Sequence, residues 1–337
     1  MTRALIIGVS GLSLTEQEKL FCSQFAPWGL ILFKRNIDHP DQVKQLTAQF
    51  RSCVGRSDAP ILVDQEGGRV QRLTAPHWPV YPPGSVFGSI AKHDLEKAKQ
   101  AAYHGGYLIG ADLAAVGISV DCLPVLDLPV AGAHDVIGNR AYATDPATVS
   151  VLGRAAAEGL MASGVLPIIK HIPGHGRAGV DSHLDLPIVD ASYEDLQSDF
   201  TPFRANADLP MAMTAHIVYT ALDPAHPATT SKSVISDIIR KEIGFDGLLM
   251  GDDVSMQALK GPIAERAMAS LTAGCDVVLH CNGKMDEMQA LADHVPELSG
   301  KSLERAEKAL LFAKKSYPQR DLVDVRAEFA SLLALAD

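Results

Sequence analysis

The sequence predicts an α/β fold, a single-domain (β/α)8 barrel of the TIM type, from three observations. Eight short apolar segments recur along the chain, helix-compatible stretches separate most of them, and polar residues repeatedly follow the segments' carboxyl ends. The segments are LIIGV from Leu5, GLILF from Gly29, ILVDQ from Ile61, ISVDC from Ile118, PIIKH from Pro167, AMTAH from Ala212, GLLMG from Gly247 and VVLHC from Val277. Near-continuous apolar runs suit parallel strands covered on both faces, and eight of them point to closure rather than an open sheet, with the first strand–helix units the least regular. In such a barrel the carboxyl ends of the strands form the catalytic face, where Asp64, Asp121, Lys170, His171, His216 and Asp252 would lie.

The helices have local support. Thr15 to Glu18 and Ser192 to Asp195 have the spacing of an N-cap followed by a first-turn acid. Residues 94–113 alternate apolar and polar positions as a covered helix does, despite three glycines, and further helices are predicted over 147–162, 263–273, 285–294 and 303–314. HWPVYPPGSVFG, from His77, reads as a loop crossing the barrel mouth rather than a domain boundary. The expected organisation is one catalytic domain over residues 1–337, with the barrel core at about 5–282 and a helical closure and tail at 283–337.

Composition narrows the function classes. With 337 residues, 47% hydrophobic and 21% charged, the chain has none of the bias of a disordered or fibrous protein. A formal net charge of −10 opposes non-specific attraction to nucleic acid or an anionic membrane. MTRALIIGVSG is too short and too interrupted for a spanning helix or an export signal, so a cytoplasmic chain beginning near residue 1 is expected. Cys22, Cys53, Cys122, Cys275 and Cys281 are odd in number, scattered and without paired metal-knuckle spacing, which favours buried thiols.

The richest constellation is KHIPGHGRAGVDSHLDLP, from Lys170 to Pro187. Its proline and glycines make it a loop, one that carries Lys170, His171, His175, Arg177, Asp181 and His183 over a cleft. If the loop folds back, Asp181 can orient one His183 nitrogen and leave the other for proton transfer; ordinary loop hydrogen bonding is the competing explanation. A zinc site is the weaker competitor, because His171 and His175 span a Pro-Gly turn and not a metalloprotease helix, so no required metal is expected.

The second constellation is GFDGLLMGDDVSMQALKG, from Gly244. Its strand delivers Asp252 and Asp253 to the catalytic face, where one carboxylate can attack an anomeric carbon and the other can orient a hydroxyl or hold the turn. Turn hydrogen bonds and capping of the following helix are the alternatives. VDQEGGRVQRL, from Val63, offers Asp64 for bidentate recognition of sugar hydroxyls, while Arg69 or Arg72 is suited either to a ligand or to a structural ion pair. Its two glycines lack the dinucleotide-loop spacing, so no cofactor is expected. Arg140, in DVIGNRAYATDP, can recognise a sugar substituent or stabilise neighbouring carboxylates.

Taken in this order, the VDQEGGRVQRL, Ile137–Arg140, KHIPGHG plus DSH, and GDDVSM motifs resemble glycoside hydrolase family 3, particularly its single-domain bacterial β-N-acetylhexosaminidases of the NagZ type, from about Leu5 to Cys281. The resemblance implies Asp252 as nucleophile, His183 as general acid/base oriented by Asp181, and sugar recognition by Asp64, Arg72, Arg140, Lys170 and His171. It implies a retaining exo-β-N-acetylglucosaminidase acting on N-acetylglucosaminyl-1,6-anhydro-N-acetylmuramic acid, with or without peptide, in peptidoglycan recycling. The expected partner is this small muropeptide or disaccharide, with no nucleic acid, membrane or obligate protein partner. A broader hexosaminidase, a glycosidase releasing glucose, a phosphorylase and a silent carbohydrate-binding protein are the alternatives. The chain departs from the family at Gly251, where serine commonly precedes the nucleophile.

Overall fold

A computed structural model of the chain describes residues 2–180, 185–313 and 320–336. Eight parallel strands follow one another around a barrel: β1 (Arg3–Ile7), β2 (Pro27–Leu32), β3 (Ile61–Val63), β4 (Val120–Asp121), β5 (Leu166–Ile172), β6 (Met211–Thr214), β7 (Leu248–Met250) and β8 (Val278–His280). β1 pairs with β8 through Leu5 and Val278, and a bridge between Met250 and Val277 joins β7 to β8 and completes the circuit. Every predicted apolar segment supplies one strand. β1 is regular in its pairing with β8, and the irregularity expected of the first units is confined to a register shift against β2 between Arg3 and Ile6.

All six residues of β2 and all seven of β5 are buried, as strands covered on the inside by the barrel core and on the outside by helices must be. Around the strands lie α1 (Glu16–Phe25), α2 (Pro40–Cys53), α3 (Gly84–Ala91), α4 (Leu95–Ala114), α5 (Pro146–Ala162), α6 (Tyr193–Ala205), α7 (Ile263–Ala273) and α8 (Met285–His294). Thr15 and Glu18 cap α1 reciprocally, and the Ser192 hydroxyl accepts from the Asp195 amide at 3.1 Å, as the spacings predict. The glycines of α4 explain themselves by packing. A Cβ at Gly106 would sit 2.2 Å from the Ala156 carbonyl oxygen of α5, so only glycine allows the two helix backbones to approach this closely.

Sequence reasoning passed over four helical pieces. α2 carried the signal, with Val43, Leu46 and Phe50 buried at helical spacing in an otherwise polar run. α3 begins at Gly84 inside the predicted mouth loop, its N-cap supplied by the preceding Pro83. Residues 234–242 form a π-helix burying Val234, Ile235, Ile238 and Ile239. The fourth is α10 (Leu322–Leu333) at the end of the chain, beyond α9 (Gly300–Ala313), the helix predicted over 303–314. α10 packs against α3 and α4: Phe329 lies 6.3 Å from the Phe87 ring, and Arg326 donates to Asp112 at 2.8 Å. No helix among the described residues is long and apolar enough to cross a membrane.

All five cysteines are free; Cys22, Cys122 and Cys275 are buried as expected, whereas Cys53 and Cys281 are only half-buried. Cys281 follows β8 and lines the cavity at the barrel mouth.

Candidate active site

A cavity of about 210 Å³ opens at the carboxyl ends of the strands. Asp64, Arg72, Arg140, Lys170, His171 and Asp252 all line it, so motifs nearly two hundred residues apart in sequence share one wall-to-wall space. Asp64 follows β3, Lys170 and His171 belong to β5, and Asp252 follows β7 after Gly251. A register shift between Lys170 and Ile172 breaks the strict alternation of β5, and both Lys170 and His171 face the cavity. Asp181 and His183 lie outside the described residues.

The floor is a chain of charges. The Lys170 ammonium, 2% exposed, sits 2.9 Å from Asp64 Oδ1 and 2.6 Å from Glu66 Oε1. Arg140 grips both oxygens of Glu66 with Nε and Nη2, each at 2.8 Å, and Arg72 Nη2 reaches Asp64 Oδ2 at 3.2 Å. Burial on its own disfavours every charge here, but the mutual pairing outweighs it. Asp64 and Glu66 are held below their ordinary range by Lys170 and their arginines, while Lys170 and Arg140 are pushed above theirs by the carboxylates. The cluster therefore presents fixed ammonium, guanidinium and carboxylate groups to a ligand rich in hydroxyls, with no proton uptake needed to bind it.

Glu66 was missed by sequence reasoning. The signal was present, since Asp64 and Glu66 alternate along an extended segment and fall on one side of it. The two readings left open for Arg69 and Arg72 also separate. Arg72 belongs to the cavity and lies over the Phe33 ring at 5.5 Å, whereas Arg69 donates to Asp135 and to the carbonyls of Asp135, Val136 and Ile137. Arg69 is thus a strut for the loop that delivers Arg140.

The tandem acids on β7 have different environments. Asp253 spends its carboxylate on the turn, accepting from the Ser255 amide and hydroxyl and from the Cys281 amide at 3.0, 2.6 and 3.1 Å. Asp252 is half-buried at the cavity wall, and its Oδ1 accepts the Asp253 amide at 2.8 Å. Behind them His216, fully buried, bonds Thr229 Oγ1 at 2.7 Å and the Asp253 carbonyl at 3.1 Å, so it supports the turn from within the barrel. Asp121, also at a strand end, is fully buried and accepts the Gln65 amide behind Asp64; its burial raises its pKa well above the ordinary value.

Thr229 also explains Gly251. A Cβ built on Gly251 would lie 2.8 Å from the Thr229 methyl, so the space a serine would occupy is already filled. Gly251→Ser is expected to destabilise the protein by about 1–3 kcal/mol, and adding Thr229→Ser, which deletes that methyl, should restore much of the loss. Thermal unfolding of the single and double variants checks this; a double variant no better than Gly251→Ser alone would contradict it.

His171 and His175 share a buried acid. Asp127, in the run that follows β4, bonds His171 Nδ1 at 2.7 Å and the His175 amide at 2.7 Å, and the two rings meet edge to face at 5.3 Å. Burial would raise the Asp127 carboxyl, yet the charge and hydrogen bond of His171 outweigh it and hold the group at about 2; burial and the neighbouring His171 lower His175 to about 4. Asp199, against Arg177, is pushed up to about 6 by burial.

These shifts fix the pH dependence of stability. For Asp127, Asp64 and Glu66 the unfolded chain binds more protons as pH falls below about 4, so the stability they contribute is complete above that pH and lost toward pH 2. Between pH 4 and 6.5 the unfolded chain protonates His175, His216 and His104 more readily than the folded chain, where burial holds all three below the ordinary histidine value, and this lowers stability on acidification. Folded Asp199 and Asp121 hold protons that the unfolded chain releases, which opposes it. Urea denaturation should therefore show only a shallow change of stability from pH 7 to about 4.5 and a steep loss below about 4; a steep loss already at pH 5.5 would contradict this balance.

A half-buried carboxylate beside a polar, charge-lined cavity at the carboxyl mouth of a (β/α)8 barrel is the arrangement of a barrel glycosidase. The family model of the glycosyl hydrolase family 3 N-terminal domain matches residues 11–310, and the chain belongs to glycoside hydrolase family 3. A β-hexosaminidase of Bordetella avium is 39% identical over 285 residues, covering 82% of this chain and 80% of the relative. A β-hexosaminidase of Pseudomonas aeruginosa is 38% identical over 296 residues, covering 87% and 86%. Among solved structures, NagZ from Neisseria gonorrhoeae in complex with N-trifluoroacetyl-D-glucosamine superimposes with a TM-score of 0.87 at 34% identity, covering 100% of this chain and 98% of that one.

Proposed function

We propose that the protein is a retaining exo-β-N-acetylglucosaminidase of the NagZ type. It removes a terminal β-linked N-acetylglucosamine from N-acetylglucosaminyl-1,6-anhydro-N-acetylmuramic acid and its peptide derivatives in peptidoglycan recycling, and works in the cytoplasm. The observation that carries this reading is the meeting of Asp252 with the Asp64–Lys170–Glu66–Arg140 cluster in one cavity, on a chain 34% identical to a NagZ bound to an N-acylated glucosamine.

Asp252 attacks the anomeric carbon as His183 protonates the departing oxygen. His183, oriented by Asp181, then takes a proton from water, which releases the sugar from Asp252 with its configuration retained. A histidine in place of a second carboxylate leaves the water side of the site without a fixed negative charge, so phosphate is the informative competitor. Asp64, Arg72, Arg140, Lys170 and His171 hold the sugar hydroxyls and the N-acetyl group, and fixing them before the reaction removes orientational freedom from the attack on the anomeric carbon.

Product analysis with N-acetylglucosaminyl-1,6-anhydro-N-acetylmuramic acid, run with and without phosphate, tests the assignment. Free N-acetylglucosamine at a phosphate-independent rate is expected. A phosphate-dependent sugar phosphate would make the enzyme a phosphorylase, and binding without turnover would make it a carbohydrate-binding protein.

A further inference from the structure

We propose that Asp127 is a positioning residue for this reaction: its carboxylate sets the His171 ring with Nδ1–H turned inward and Nε2 turned to the sugar, and ties that ring to the root of the loop bearing Asp181 and His183. The inference rests on the proposed sugar hydrolysis for its kinetic consequence, but not for its structural one.

The geometry is that of a buried carboxylate on which three donors converge. Asp127 is 0% exposed. Its Oδ1 accepts two backbone amides, from His171 at 3.1 Å and from His175 at 2.7 Å, and its Oδ2 accepts Nδ1 of the His171 ring at 2.7 Å. Three donors converge on one buried acid that does not line the cavity, whereas both histidines do. The acid is itself aligned by β5, because the Leu126 amide donates to the Lys170 carbonyl at 2.8 Å and the Lys170 amide donates to the Pro124 carbonyl at 3.1 Å.

The consequence for His171 is a choice of tautomer. A carboxylate accepts only, so Nδ1 must carry a proton, and Nε2 is left to meet a sugar hydroxyl in the cavity. Without Asp127 the ring is free to take the other tautomer or to rotate, and the group facing the sugar changes from acceptor to donor.

The consequence for the loop is a shared anchor. The His175 amide held by Asp127 lies within a root that is also fastened by the Tyr219 hydroxyl, donating to the Gly174 carbonyl at 2.7 Å, and by Arg177 donating to Asp199 at 2.5 Å. Asp127 is the member of this set that also grips a sugar-facing ring.

The test begins with the wild-type protein. Long-range ¹H–¹⁵N correlation spectra of histidine-labelled enzyme, with His171 assigned by its loss in His171→Gln, are expected to show a protonated Nδ1. A bare Nδ1 with a protonated Nε2 would overturn the proposal, whatever the fate of any variant. Asp127→Asn keeps an oxygen for the two amides but sets an NH2 against the ring, so it should switch His171 to the Nε2–H tautomer and lower kcat/KM by about 100-fold or more. In a His171→Gln background the same substitution should cost no more than about 3-fold, because most of its effect passes through the ring. Equal losses in both backgrounds, or an unchanged tautomer in Asp127→Asn, would show that Asp127 is only a structural acid. If the enzyme does not cleave the disaccharide at all, the proposed function fails while the tautomer experiment still stands or falls by itself.

Discussion

Replacement of Asp252 by alanine is expected to lower kcat by at least about 10⁴-fold while leaving the unfolding transition within about 1 kcal/mol of wild type. The large effect follows from role: without the carboxylate there is no covalent intermediate, and water must attack directly with nothing on that face to stabilise the developing positive charge. The small structural effect follows from environment. Asp252 is half-buried at the cavity wall, while its neighbour Asp253 makes the bonds that hold the turn, accepting from the Ser255 amide and hydroxyl and from the Cys281 amide. Azide added to Asp252→Ala with an activated aryl β-glycoside should restore turnover and give the α-glycosyl azide, since the small anion enters the space the carboxylate leaves. Steady-state rates and product configuration check both statements. Wild-type-like hydrolysis by Asp252→Ala, or rescue yielding only β product, would remove Asp252 from the nucleophile role.

Lys170→Met should produce the largest combined loss of stability and binding. The side chain is 2% exposed and is the only cation bridging Asp64 and Glu66 among the described residues, so its removal leaves two buried carboxylates facing each other with one arginine apiece. Breaking a buried ion pair costs about 3–5 kcal/mol, which for a chain of this size is a fall in Tm on the order of 5–15 °C. Loss of the ammonium and disorder of its partners should also lower kcat/KM by about 100-fold. The pH dependence identifies the cause. Without Lys170 the folded-state pKa values of Asp64 and Glu66 rise, one of the pair accepts a proton as pH falls, and the repulsion is relieved. The deficit in Tm relative to wild type should therefore be smaller at pH 5 than at pH 8. A deficit independent of pH would assign the loss to packing instead.

Much of this site was legible before the structure, for a physical reason. A parallel barrel requires unbroken apolar strands, and the chain must turn polar where each strand meets solvent at the mouth, so Asp64, Lys170, His171 and Asp252 announce themselves at the ends of apolar runs. What one strand end does with its neighbour's side chain was not legible. Nothing in the spacing says that Arg140 selects Glu66, that Arg72 joins the cavity while Arg69 braces a loop, or that Asp127 reaches a ring 44 residues further on. Those pairings are set by barrel closure and by the register of β5 against the run before it. Gly251 shows the same limit from the other side. Its departure from the family's serine is visible in the sequence, but the atom that accounts for it is a methyl of Thr229, 22 residues away. Helix omissions had a different origin: α3 starts from a proline-rich turn, and its Gly84 and Gly88 pack against the backbone of residues 140–143, so tertiary contact rather than intrinsic propensity makes it helical.

The measurement that bears most directly on the central claim is the anomeric configuration of the first product, followed by ¹H NMR during cleavage of an aryl N-acetyl-β-glucosaminide before mutarotation intervenes. Hydrolysis through a covalent intermediate on Asp252 predicts that β-N-acetylglucosamine forms first and the α-anomer appears only later; an initial α product would mean single-step attack by water and would contradict the account.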